Sequence, residues 1–194
     1  MPRNEERRRA LADAGLAVLA EQGARGLTHR AVDRAAGTPL GTASNYFRTR
    51  DDLLAALVER IGELFAPEPE VLRERAGATP DAALFAQFMR DIVRRLLGQP
   101  QVTLALFELR LESVRRPEVA ELLGPWRREG FAADVAFHRE AGLPGGEREV
   151  ALFHYAMDGL LLDRLAGSLR PAETTDDVID ALVAGLLPDG PCAE

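Results

Sequence analysis

The chain of 194 residues contains no lysine; all 24 of its basic residues are arginine. It has a single cysteine, Cys192, in a tail that follows Pro188. One cysteine cannot form a disulfide within one chain, which excludes a disulfide-stapled scaffold and fits a reducing cytoplasm. No apolar run approaches the ~20 residues that would span a bilayer, so no membrane partner is expected. Arg7-Arg8-Arg9 followed by ALADAGLAVLA imitates a secretory leader. Asp13 interrupts it, however, and Ala10, Leu11, Ala14, Val18 and Leu19 keep helical spacing, so the segment is read as a helix. Strand alternation, internal repeats and low-complexity tracts are absent from the pattern. So are G-x-S-x-G, the phosphate loop, H-E-x-x-H and a cysteine in a structured region, which argues against an enzyme. Nothing calls for a cofactor.

What is present is a division of charge. The net charge of −7 argues by itself against nucleic acid. Residues 1–50, however, hold nine Arg against five acids, and residues 51–194 hold fifteen Arg against twenty-six. A basic head on an acidic body docks DNA by the head. Arginine's planar fork suits phosphates and guanine edges, although a GC-rich coding sequence gives the same usage and is the simpler cause of it.

The stretch Leu27–Leu54 organises the chain. Ala31, Val32, Ala35 and Ala36 form an apolar stripe at helical spacing behind Thr28, an N-cap residue type. Gly37 falls where a left-handed residue ends a helix, and Pro39 suits the first turn of the next. Ala43 and Phe47 would face inward, leaving Thr42, Ser44, Asn45 and Tyr46 outward. A short helix with an apolar back and a polar front, reached through a glycine turn, is what a helix-turn-helix requires.

On Gly37, Gly41-Thr42, Tyr46-Phe47 and Arg50-Asp51-Asp52-Leu53-Leu54 the chain resembles the tetracycline-repressor-like (TetR-type) transcriptional regulators. The motif-bearing part covers about residues 5–60 of this sequence. Ser44 and Asn45 depart from the family's usual Tyr and His, which leaves the base preference open. The resemblance implies an all-α fold, with a three-helix head at 1–50 and a helical ligand-binding and dimerisation domain at 51–194. It also implies a homodimer on a palindromic operator in double-stranded DNA, with repression as the common outcome.

Further along, residues 5–22 read as a first helix ended by Gly23. Its arginines, Arg3 and Arg7–Arg9, are either a solvated arm or a phosphate and minor-groove contact. Thr49 and Asp52 make a T-x-x-D box for a helix to Phe65, which Pro67 and Pro69 break. Thr79-Pro80-Asp81 opens a helix to Leu97, and Pro100 opens one that Pro117 closes. Gly124-Pro125 splits the next segment into 118–123 and 126–140. Two last helices run near 147–169 and 175–187. Their small and apolar residues, Ala156, Gly159, Leu160, Ala166, Val178, Leu182, Gly185 and Leu186, need cover all round, from a second copy or from the chain's own core. In the resembling family these two helices form a four-helix dimer bundle.

For DNA, the candidates are Thr28, His29 and Arg30 before and in the first helix of the motif, and Leu40, Gly41, Thr42 and Asn45 near base edges. Ser44, Tyr46, Arg48 and Arg50 are candidates for phosphates. For a small effector, the aromatics Phe65, Phe85, Phe88, Phe107, Trp126, Phe131 and Tyr155 with Met89 supply apolar lining, and Glu108, His154 and Asp158 supply polar groups. Phe137, Met157 and His138 belong to the same set. Any single one of these aromatics reads better as core than as lining. His154 and Asp158, four apart, lack a third metal ligand and read better as a hydrogen-bonded pair. An effector would act by preferring wrongly spaced reading heads, with the Thr49–Phe65 helix carrying the shift. A protein partner in place of the small molecule, or activation in place of repression, is the alternative.

Overall fold

The computed structural model describes residues 2–75 and 77–187; Cys192 and the side chain of Arg3 lie outside them. Among the described residues there are ten helices and no strand: α1 Pro2–Gly26, α2 His29–Ala35, α3 Thr42–Tyr46, α4 Arg50–Phe65, α5 Pro69–Glu74, α6 Ala82–Leu97, α7 Pro100–Arg115, α8 Pro117–Glu140, α9 Glu147–Ala166 and α10 Thr175–Leu186. The chain is all-α, with an amino-terminal helix-turn-helix followed by a larger helical region. Contacts gather it into two compact units, one of residues up to 66 with 99–127, the other of 67–98 with the residues from 128 on. That grouping sets α4, α7 and the start of α8 with the amino-terminal helices.

The first unit is built on one apolar cluster. Leu11, Leu16 and Leu19 of α1, Phe47 after α3, Leu53, Leu57 and Ile61 of α4, and Leu109 of α7 are all fully or almost fully buried. Each such side chain contributes about 1.5–3 kcal/mol of transfer free energy, so the cluster dominates this unit's stability. α4 starts as its sequence requires. The Asp52 amide donates to the Thr49 hydroxyl at 3.0 Å, and the Thr49 amide donates to the Asp52 carboxylate at 2.9 Å. Hydrogen bonds to the Asp52 carboxylate, from the Thr49 amide first and the Thr49 side chain after it, hold its pKa below the ordinary value.

Outside the helix-turn-helix, four boundaries differ from the sequence expectation. Gly23 does break helical geometry, with φ of 65°, yet α1 resumes and ends at Gly26. Pro69 starts the unforeseen short α5, because a proline in a helix's first turn forfeits no hydrogen bond. α6 is capped by Asp81, whose carboxylate accepts from the Leu84 amide at 2.8 Å, and Thr79-Pro80 lies before it. Finally, α8 is continuous through Gly124-Pro125. An interior proline costs about 3 kcal/mol by removing a bond and crowding the preceding turn. Here Pro125 is exposed and so is Glu121, whose carbonyl it leaves free, while Leu123 beside it is buried. The proline thus stands on the exposed side of a helix whose other side is buried.

In the second unit α10 lies against α6 and α9. Arg164 near the end of α9 ties the connection, donating to the Thr175 hydroxyl and the Glu173 carbonyl at 3.1 Å each. A capping box of Thr174 and Asp177 opens α10. Ile179 and Val183 are its buried positions.

Candidate nucleic-acid interface

The Thr28 hydroxyl accepts from the Ala31 amide at 3.1 Å and so caps α2. Of the expected stripe, Ala31 and Val32 are buried, but Ala35 is exposed and the third buried position of α2 is Asp33. Gly37 takes the expected left-handed conformation, with φ of 62°. The chain then turns over Pro39–Thr42, where the Thr42 amide donates to the Pro39 carbonyl at 3.1 Å. Pro39 therefore belongs to the turn, not to the first turn of α3. Gly41 has φ of 94°, open to glycine and strained for other residues, and α3 starts after it. Ala43 and Phe47 face inward as the spacing requires.

Asp33 holds this turn together and was not singled out from the sequence. Its carboxylate accepts from the Gly41 amide at 2.8 Å, the Ala43 amide at 2.7 Å and the Thr38 hydroxyl at 3.3 Å. An acid inside a helix that otherwise buries alanine and valine was the available signal.

The other polar groups divide into those turned inward and those left outward. His29 donates from Nε2 to the Phe47 carbonyl at 2.7 Å, tying α2 to the chain after α3. Arg50 donates to the carbonyls of Leu27 and Ala24, both at 2.6 Å, so its guanidinium is engaged in the fold. At the surface, the Thr42 hydroxyl donates to the Pro39 carbonyl and the hydroxyl of Ser44, which is exposed as expected, to the Gly41 carbonyl, each within its own turn. Tyr46 is half-buried against the core. Outward stand Arg30, Arg48 and Asn45, all exposed, and Leu40, 63% exposed. Thr28, Arg30, Arg34, Thr38 and Leu40 line an open groove. Arg34 and Thr38 were not among the expected contacts; Arg34 follows Arg30 by one helical turn, which is how it shares that face. Arg8 and Arg9 form no free arm. Both lie on α1, where they pair with Glu59 and Glu63 of α4 at 3.3 Å, and Arg8 also lies over the Phe47 ring.

The expected effector residues fall in both units. Phe65, Phe107, Glu108 and Trp126 belong to the first, where a Cβ on Gly62 would meet the Trp126 indole nitrogen at 3.3 Å. Phe85, Phe88, Met89, Phe131, His154, Tyr155 and Asp158 belong to the second. There Phe85 contacts Phe153 and His138, with ring centroids 4.5 Å and 5.4 Å away. Phe88 meets Phe137 edge-on, and Phe131 meets His154. Met89 is half-buried. His154 Nε2 pairs with Asp134 of α8 at 3.1 Å. His138 is 5% exposed, and its desolvation holds the imidazole below its ordinary pKa.

Tyr155 is 69% exposed and shares a face of α9 with exposed Gly159, Leu162 and Ala166. Exposed Ala181, Ala184 and Gly185 mark the corresponding face of α10. A Cβ on Gly159 or Gly185 would meet no atom within 4 Å. Leu160 is the exception among the expected dimer residues, being buried in its own unit at 7% exposure. Ala156, Val178, Leu182 and Leu186 are half-buried. No described helix is long and apolar enough to cross a membrane.

Residues 11–57 match the family model of bacterial regulatory proteins of the tetR family, and residues 80–189 match that of the tetracyclin repressor-like C-terminal domain. The chain is 32% identical over 118 residues to the HTH-type transcriptional regulator BetI of Rhizobium meliloti (strain 1021). That match covers 60% of the chain and 57% of the relative, so it spans little more than half of the relative's length. Among solved structures, a TetR family member from Streptomyces coelicolor A3 superposes with a TM-score of 0.70 at 26% identity, over 95% of this chain and 99% of that one. The multidrug binding protein EbrR complexed with malachite green superposes with a TM-score of 0.65 at 27% identity, again over 95% and 99%.

Proposed function

This chain belongs to the tetracycline-repressor-like (tetR) family of bacterial regulatory proteins, and from that premise we propose a dimeric DNA-binding repressor, working in the cytoplasm, that a small and largely apolar effector releases from a palindromic operator. The observation that carries the DNA reading is the sorting of polar groups around α3. His29 and Arg50 are engaged within the fold, while Arg30 and Asn45 stand exposed on neighbouring elements. Arginine pairs bidentately with guanine and asparagine with adenine, and Leu40 offers an apolar contact to a thymine methyl. Arg34 and Arg48 supply phosphate contacts beside them. In this division of labour residues 1–50 read DNA and residues from 51 on serve dimerisation and the effector.

A twofold dimer through the outer faces of α9 and α10 would present two reading helices about 34–36 Å apart along the duplex. Exposed Gly159 and Ala166 on one helix, with Ala181 and Gly185 on the other, support it because small residues permit close approach of backbones, and exposed Tyr155 and Leu162 add apolar surface that a partner would cover. The effector reading is supported by EbrR, which is a multidrug binding protein, and by the aromatic cluster of the second unit. The effector would shift the dimer only by its differential affinity for two arrangements of the heads.

Selection from a randomised duplex library tests the proposal. The expected product is two inverted half-sites with centres one helical turn apart, bound by a dimer. A monomer that recovers no common sequence at moderate salt would refute it. A thermal-shift screen with aromatic dyes tests the effector, because a ligand of the native state raises the melting temperature by mass action.

A further inference from the structure

The amino-terminal end of α3 is unusual in having no cap of its own. Gly41 occupies the N-cap position, and its φ of 94° accounts for the glycine, since a Cβ there would meet nothing within 4 Å. A glycine has no side chain with which to bond the free amides of the first turn. Two of those amides nevertheless find a side-chain acceptor, from eight and ten residues upstream. Asp33, 0% exposed on α2, accepts from the Gly41 and Ala43 amides through one oxygen each, and its Oδ1 also faces the Thr38 hydroxyl. Its main-chain carbonyl accepts from the Thr38 amide at 2.9 Å, so one residue fixes both ends of the turn.

We infer that Asp33 is the positioning residue of the reading helix: its buried carboxylate caps α3 across the turn and thereby fixes where Leu40 and Asn45 stand relative to Arg30. Alternative orientations of so short a helix would each leave a buried carboxylate short of donors, which is costly. The orientation is therefore specified by three directional bonds, and the apolar contacts of Ala43 and Phe47 fix only the side that faces inward. A second consequence concerns the duplex. Two of the amides that a DNA phosphate would use at the start of α3, those of Gly41 and Ala43, are already bonded to an internal carboxylate. Phosphate contacts then fall to flanking groups such as Arg30, Arg34 and Arg48.

This inference rests on the DNA-binding reading, and its test separates the two. The probe is the duplex that the wild-type protein recovers from a randomised library, with a random duplex at the same salt as control. Asp33→Asn keeps the volume but turns one acceptor into a donor facing an amide N–H. The expected result is a folded dimer whose affinity for the selected duplex falls about tenfold or more, with affinity for the random duplex within about threefold. A merely structural role would move both affinities together, and a folded variant with the wild-type ratio overturns the inference while leaving the DNA reading intact. A wild-type protein that selects no duplex overturns both. Should Asp33→Asn fail to fold, Thr38→Val removes one donor and spares both amide bonds; its ratio should fall about threefold, and an unchanged ratio overturns the inference. Amide exchange in the wild-type chain adds a check that needs no variant. Gly41 and Ala43 should be protected as if inside a helix, and free exchange at both would overturn the cap itself.

Discussion

The turn between α2 and α3 and the aromatic cluster of the second unit are organised by different forces. In the turn, several polar groups have definite partners in definite directions: Thr28 has Ala31, Asp33 has Gly41 and Ala43, His29 has Phe47, and Arg50 has Leu27 and Ala24. Whatever is left outward stands out by elimination, as Arg30 and Asn45 do. In the cluster, Phe85, Phe88, Phe131, Phe137 and Phe153 meet rings edge-on or tilted, and such contacts form in a packed core as well as in the wall of a site. A ring on another ring looks the same whether it is core or the wall of a site. Hydrogen bonding therefore exposes function in the first region, while burial conceals it in the second.

The comparison can be broken or sharpened by substitution. The largest effect should come from the shared requirement for packing. Phe47→Ala and Phe85→Ala should each cost about 3–5 kcal/mol by denaturant titration, since each empties a space in its own unit. A loss below about 1 kcal/mol at either would mean that its surroundings are not a close-packed core.

Arg50 comes next. Arg50→Ala should lose about 2 kcal/mol of stability, because two carbonyls lose a charged donor. The salt dependence of DNA binding should stay as it is; a slope of log affinity against log salt that falls by about one would return Arg50 to the phosphate contacts.

Arg30→Ala and Asn45→Ala should do the reverse, costing about 1–3 kcal/mol of specific binding with little change in melting temperature. An unchanged affinity for the selected duplex would remove that residue from the reading set.

His138 separates the regions by pH. Its buried imidazole resists protonation in the fold and accepts a proton readily once unfolded. The unfolded state thus binds more protons below the ordinary histidine value of about 6.5, and stability falls as pH drops from there toward the lower folded value. The contribution is absent above that range, where both states are neutral. His138→Phe should flatten this part of the profile of stability against pH, and superposable profiles would refute the assignment.

The smallest effect belongs to the ion pairs between α1 and α4. Arg9→Gln should change stability by no more than about 0.5 kcal/mol, since Arg9 and Glu63 are largely in water.

Much of the fold was legible in the sequence because its signals are local. Thr28, Gly37, Thr49 with Asp52, and Pro100 each act within one helical turn, and each stands where its residue type demands. Pro125 misled because its cost depends on which side of the helix meets water, and only the burial of Leu123 reveals that. Within the candidate site, Arg30 and Asn45 remained outward as expected, while Arg50, His29 and the aromatics took partners from elsewhere in the chain.

The sequence by itself determined the helical class, the place of the glycine turn and the basic balance of the first fifty residues, because periodicity, backbone freedom and charge are properties of neighbouring residues. Only the tertiary structure decided which polar groups remain free for a partner. Asp33 lies eight and ten residues from the amides it holds, and Arg50 lies twenty-three and twenty-six from its carbonyls. A hydrogen bond depends on distance and angle in space, and those are set only when α1, α2, α3 and α4 close on their common core.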